Sequence, residues 1–252
     1  MNLRELQPAD VIQPSWLEQY KRKMDRLQQE LILLNSNLYV LEKLSKFPIH
    51  LFTEPLRGQF LDMVAVNLSS MCAMSVWRLR LDPDTKSLTL RRFSEDVGKH
   101  LRPKYRQEFN TALADLKWDE RALERVEKFR HKSMAHFDSK CNLSPQERRK
   151  LWLSLPDLTK LRDTLNSLFE ILCFRLHRAV LPPYYDPKVL HPRDMDPRSD
   201  VEVILDKIAR NSPMLNMPEE QPQVWPFHRQ KLTKDDLKVL NEYRRKFGLP
   251  EV

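Results

Sequence analysis

Seven apolar residues, Tyr20, Met24, Leu27, Leu31, Leu34, Leu38 and Leu41, recur at alternating spacings of four and three. At 3.6 residues per turn this spacing places them all in one stripe. Residues 16–46 are therefore expected to form one long helix, closed by Pro48, with the stripe as a bundle core or coiled-coil seam. Glycine points the same way. Only three of 252 residues are glycine, whereas the turns of a sheet protein need many. The expected fold class is all-α. The 18 prolines fall between the periodic runs and punctuate them.

Thr53-Glu54-Pro55 reads as a helix start, with a capping oxygen and an early proline. The run Phe60–Leu79 that follows is apolar on most sides, so its helix is expected to be central to the core. Asp82-Pro83-Asp84 ends it. Shorter helices are expected over 88–98 and 104–116, separated by Gly98 and Pro103. Asp119 caps a further helix whose apolar face is Ala122, Leu123, Val126 and Phe129. Ser144-Pro145-Gln146-Glu147 reads as a capping box that restarts the chain as helix. Pro156 is expected to kink or split that helix, with a strongly apolar stretch over 157–180.

Pro182-Pro183 marks a boundary. The expected division is a helical bundle over 1–182 and a proline-rich, extended segment over 183–252. That segment holds two short helices: one capped by Ser199 with Glu202 at its third position, the other from about Lys234 to Phe247 and ended by Gly248. It carries few apolar residues, so it is expected to pack on the bundle or on a partner rather than fold alone.

The formal net charge is +8, which favours polyanions. The excess is local: 121–150 holds nine Lys/Arg against four Asp/Glu, and 91–107 six against two. A solvated, lysine-rich helix surface would have the same composition. Cys72, Cys141 and Cys173 lack paired spacing, which suggests reduced thiols in a reducing compartment. Met1–Ser15 has no apolar signal core, and no stretch reaches ~18 unbroken apolar residues. A cytoplasmic location without membrane association is the expectation.

The segment Phe129-Arg130-His131-Lys132-Ser133-Met134-Ala135-His136-Phe137-Asp138 combines an arginine with a histidine six positions later. Arginine stays charged and can grip phosphate bidentately. Histidine titrates near ~6.5 and can move protons. On one continuous α-helix six positions turn through roughly 600°, so the two side chains would not share a face. Either the helix loosens before His136, or a two-fold axis brings two copies of the segment together.

This segment resembles the signature of the HEPN superfamily: an arginine, a polar residue, then a histidine. It is especially similar to the AbiU-type, abortive-infection branch. The long first helix, the apolar second helix running into Arg78-Leu79-Arg80-Leu81-Asp82-Pro83, and the apolar helix after the motif support the likeness, which covers about 16–180. It implies a HEPN-type bundle with long antiparallel helices that dimerises with both motifs in one cleft. It also implies a metal-independent endoribonuclease of a bacterial toxin–antitoxin or anti-phage defence system, with no cofactor. Arg130 and His136 would be catalytic, with His131, Lys132 and Asp138 supporting them. Lys128, Lys140, Arg102 and Lys104 would contact single-stranded RNA, and an antitoxin or defence-complex protein is a further expected partner.

Other readings accompany this one. Arg130 as a surface residue and His136 as a helix-end histidine would leave a non-catalytic module that binds RNA or protein. His131, His136, Asp138 and Cys141 are four possible metal ligands, but standard zinc spacings are not met. Some HEPN toxins are modified on a tyrosine two residues after the motif histidine; here that position is Asp138. Trp225-Pro226-Phe227-His228-Arg229 suits either base stacking or a tail docked on the body. Phosphate-loop, dinucleotide and hydrolase-elbow motifs are absent.

Overall fold

The computed structural model describes residues 3–53, 55–131, 153–175, 199–215 and 232–251. These hold ten α-helices and no strand. In chain order they are α1 (Pro8–Val11), α2 (Leu17–Lys46), α3 (Ile49–Phe52), α4 (Pro55–Val76), α5 (Leu90–His100), α6 (Arg106–Ala114), α7 (Glu120–Phe129), α8 (Leu155–Cys173), α9 (Asp200–Arg210) and α10 (Lys234–Lys246). The chain is all-α, as its glycine scarcity implies. It divides into two compact units: Met1–Tyr39 with Leu68–Pro182, and Val40–Asn67 with Pro183–Val252.

In the first unit the stripe of α2 is fully enclosed, with Tyr20, Met24, Leu31, Leu34 and Leu38 all at 0% exposure. Helix α8 buries Leu158, Leu161, Leu165, Leu168, Phe169 and Leu172 and packs on α5, α6 and α7. Two polar ties join α2 to α8. The Tyr20 hydroxyl donates to the Leu172 carbonyl at 2.6 Å. Buried Asn35 exchanges amide hydrogen bonds with Asn166 at 3.1 Å. Ahead of α2 the chain is pinned beside Leu101, where Gln13 N–H bonds His100 O and Arg102 N–H bonds Val11 O, each at 2.9 Å.

Several local expectations are corrected. Helix α5 runs through Gly98 to His100; a Cβ at Gly98 would lie 3.8 Å from the Phe109 ring, an ordinary contact. Pro156 stands in the first turn of α8, just after the non-helical Leu153 and Ser154, so the chain does begin a new helix at this point; the stretch from Ser144 to Trp152 lies outside the described residues. Ser154 is the N-cap, Asp157 closes the capping box, and the proline sits in the first turn, where its missing N–H costs nothing. The same helix ends at Cys173, short of 180. Phe174 takes a left-handed φ of 52°, which turns its buried ring toward Tyr20 and Phe109. The capping box expected at Ser144 lies outside the described residues.

Helix α4 is also less central than its composition suggests. Leu61, Cys72, Ala73 and Val76 are buried, but Phe60 is 61% and Met63 54% exposed. A helix apolar on most sides has more apolar surface than one set of neighbours can cover. By length and composition alone, Gln59–Leu81 would be long and apolar enough to cross a membrane, a test that soluble core helices also pass. Cys72 is enclosed on this helix, where burial pushes its thiol up to about 12 against the pull of Arg162. That makes it a poor nucleophile.

In the second unit α9 and α10 pack with 40–67. Lys43 pairs with Glu202 at 2.6 Å, His50 with Asp236 at 2.9 Å, and the Phe52 and Tyr243 rings lie 4.6 Å apart. Buried Arg244 donates to the carbonyls of Pro250 and Leu215. Gly248, at φ 70°, ends α10. Partial burial works to raise the Glu202 carboxyl; hydrogen bonds from Lys43 and from Ser199 outweigh it and leave about 2. A carboxyl held below its ordinary value stabilises the fold above that value and loses the effect as pH falls toward about 2. Glu202→Gln is expected to cost about 1 kcal/mol in urea unfolding at pH 7. The difference from the unsubstituted chain should shrink from about pH 4.5 downward. A pH-independent difference would rule out this origin.

Candidate functional site

Helix α7 places the first residue of the arginine–histidine segment. Asp119 caps it by accepting from Ala122 N–H at 2.9 Å. Ala122, Leu123, Val126 and Phe129 anchor it in the core. Arg125 clamps it to the start of α8 through Asp157 at 2.8 Å. Burial works to raise the Asp157 carboxyl, but hydrogen bonds from Ser154 and the Arg125 charge bring it below the ordinary value. The α pitch stops at Phe129, and Arg130 and His131 adopt the wider π pitch. Of the two readings of the motif spacing, a loosened helix and a two-fold pairing of copies, this π pitch accords with the first at Arg130 and His131; the residues up to His136 lie outside the described ones.

A second π turn, Trp77–Leu81, follows α4. It closes with Asp82 N–H bonded to Trp77 O, five residues back, at 2.9 Å. The two meet through their side chains: the Arg130 guanidinium lies over the Trp77 ring at 4.5 Å. Isolated π turns occur often at functional sites. The indole face attracts the cation and holds its plane. Arg130 Nη1 also lies 3.2 Å from His131 Nδ1. Arginine can only donate, so in a hydrogen bond between them Nδ1 would be the acceptor. Arg130 is half-buried, and among the described residues it has no carboxylate partner. A half-buried guanidinium held on an aromatic face is suited to hold an anion.

Of the residues expected from sequence, Arg130 and His131 are brought together. Lys128 projects from the last turn of α7 and pairs with Glu124. Arg102 donates to Ala9 O at 3.0 Å, and the Lys104 ammonium lies 4.7 Å over the Tyr105 ring. These two residues flank the start of α6 and are engaged locally. His136, Lys132, Asp138 and Lys140 lie outside the described residues, as does the aromatic–basic stretch at 225–229. Sequence reasoning missed Trp77 as part of the site. It was counted among the apolar residues of α4, and nothing in its spacing signals a partner 53 positions away.

In a comparison with known families, the HEPN model described as AbiU2 fits residues 17–189. No curated protein and no solved structure matches the chain. The matched span runs from the start of α2 past α8 and includes the whole arginine–histidine segment. It covers well over half of the chain, which therefore belongs to the AbiU2 family of HEPN domains, a group related to abortive infection.

Proposed function

We propose that the chain is a metal-independent endoribonuclease of a bacterial abortive-infection or toxin–antitoxin system. The observation that carries this reading is Arg130: a half-buried guanidinium held against Trp77, beside His131, without a carboxylate partner among the described residues. Such a group can stabilise charge that develops on a phosphate.

In the proposed reaction His136 takes the proton from an RNA 2′-hydroxyl. The 2′-oxygen attacks the adjacent phosphorus, and the bond from phosphorus to the 5′-oxygen breaks. The leaving oxygen takes up a proton, giving a 2′,3′-cyclic phosphate and a 5′-hydroxyl end. Arg130 holds the phosphate oxygens as charge builds. His131 positions the Arg130 guanidinium. A two-fold homodimer would place both motifs in one cleft. Lys132, Asp138, Lys140, Lys128, Arg102 and Lys104 remain the proposed supporting and RNA-contacting residues, single-stranded RNA the proposed substrate, and an antitoxin or defence protein the proposed partner.

The test uses purified full-length protein in EDTA, with a single-stranded RNA and the 2′-deoxy strand of the same sequence. Cleavage of the RNA alone, leaving cyclic phosphate ends and lost in His136→Ala, is the expected result. Cutting of both strands, or cutting abolished by EDTA, would contradict the proposed chemistry. Uncut RNA that the protein still retards on a gel would instead favour a binding module.

A further inference from the structure

Arg80 lies on the π turn Trp77–Leu81, which carries Trp77 as its first residue. The Arg80 guanidinium lies 4.4 Å over the Trp118 ring. Trp118 directly precedes Asp119, the N-cap of α7, and Arg130 directly follows the last residue of that helix. Two arginine–tryptophan pairs therefore fasten one π turn to both ends of α7: Arg80 on Trp118 at its start, and Arg130 on Trp77 at its end. The turn supplies the arginine of the first pair and the tryptophan of the second. It packs on α7 and on α5. All of these residues belong to one compact unit.

Stability alone does not account for the first pair. The Arg80 side chain is half-buried, and its Nε is enclosed without a hydrogen-bond partner among the described residues. Burial, and then the nearby Arg91 charge, work against its charged form, while Glu120 and Glu95 favour it. Glu95 is itself engaged with Arg91 at 3.2 Å. An enclosed donor left unpaired on a cation costs free energy, and an apolar side chain of similar length would avoid that cost. Residues that break such a local rule are expected where function requires them. The π pitch calls for a device of this kind. It is rare beside the α pitch, and an uncommon backbone form persists only where its surroundings hold it.

On the reading of Arg130 as the group that holds phosphate, we propose that Arg80 is a positioning residue for it. Stacked on Trp118, Arg80 holds the π turn in register with α7, and the turn presents the Trp77 face on which the Arg130 guanidinium lies. A guanidinium at the end of a long side chain has many rotamers, and the ring face selects among them. The apolar face of α7 and the Arg125–Asp157 pair fix that helix against the core and α8. They do not set where Trp77 stands. Arg80 acts through Trp77 and touches no reacting atom.

The test uses the full chain, isotope-labelled at arginine, with NMR of the Arg130 Nε–Hε signal, assigned by its loss in Arg130→Lys. The Trp77 ring current displaces this signal, and Trp77→Leu gives its position without the ring. Arg80→Met keeps the length of the side chain and removes its charge and plane. It is expected to move the Arg130 signal at least about halfway to the Trp77→Leu position. Its urea unfolding midpoint should be unchanged or raised. In cleavage assays Arg80→Met should lower kcat about fivefold and change KM less than about twofold, and it should cost less than about twofold where Trp77 is already leucine. Trp118→Leu should repeat this pattern, and Trp118→Phe, which keeps a ring face, should recover most of the loss. An Arg130 signal unmoved in both Arg80→Met and Trp118→Leu would overturn the proposal whether or not RNA is cut. A kcat loss in Arg80→Met that Trp77→Leu leaves undiminished would overturn it too. Loss of the fold in Arg80→Met would mark Arg80 as structural and have the same consequence. A moved signal in a chain that cuts no RNA supports the placement by Arg80 and refutes the nuclease reading alone.

Discussion

Replacing Arg130 by alanine is expected to slow the proposed RNA cleavage by about 10²–10³-fold, the usual loss when one preorganised charge donor is removed from a transition state. The loss should fall on kcat more than on KM, because charge on the phosphate grows during reaction. Arg130→Lys keeps the charge but not the planar fork, so it should recover less than about tenfold of the loss. Trp77→Leu is a finer probe. It retains apolar bulk beneath the guanidinium but removes the ring face that lies 4.5 Å away. Here a drop of about tenfold is expected. Single-turnover cleavage of a labelled RNA measures all three. Wild-type rates in Arg130→Ala would remove Arg130 from the mechanism.

Much of the fold was legible because its signals are local and periodic. The α2 stripe, the Asp119 cap and the paired Ser199 and Glu202 each occupy a few turns of sequence, and each is found where expected. Pro156, read as a kink or a split, stands where a new helix starts. A proline inside an apolar run looks like a breaker, but Ser154 and Asp157 around it form a capping box, and the proline then belongs to a first turn. The exposed side of α4 was not legible, since composition does not record how much neighbouring surface is available. The site divides along the same line. Arg130 stands out by type and spacing. Its contact with Trp77, the π pitch at both residues and the exposed pairing of Lys128 arise only once distant segments meet.

The second large effect is expected at Tyr20, where α2 meets the end of α8. Its side chain is 0% exposed. Its ring centre lies 5.7 Å from that of Phe93 and 6.1 Å from those of Trp16 and Phe174. Its hydroxyl donates at 2.6 Å to the Leu172 carbonyl, in the last turn of α8. Carbonyls there have no partner within their own helix, so this bond satisfies an acceptor that burial would otherwise strand. Tyr20→Phe removes only the hydroxyl and should cost about 1–2 kcal/mol. Tyr20→Ala also removes the ring that three aromatic neighbours pack against, leaving a cavity, and should cost about 3–5 kcal/mol. Urea unfolding followed by circular dichroism gives both numbers. The gap between them separates ring packing from the hydroxyl bond. If the two variants were equally destabilised, the hydroxyl would carry the effect and the aromatic cluster would contribute little. If Tyr20→Phe were neutral, the Leu172 carbonyl would have another partner.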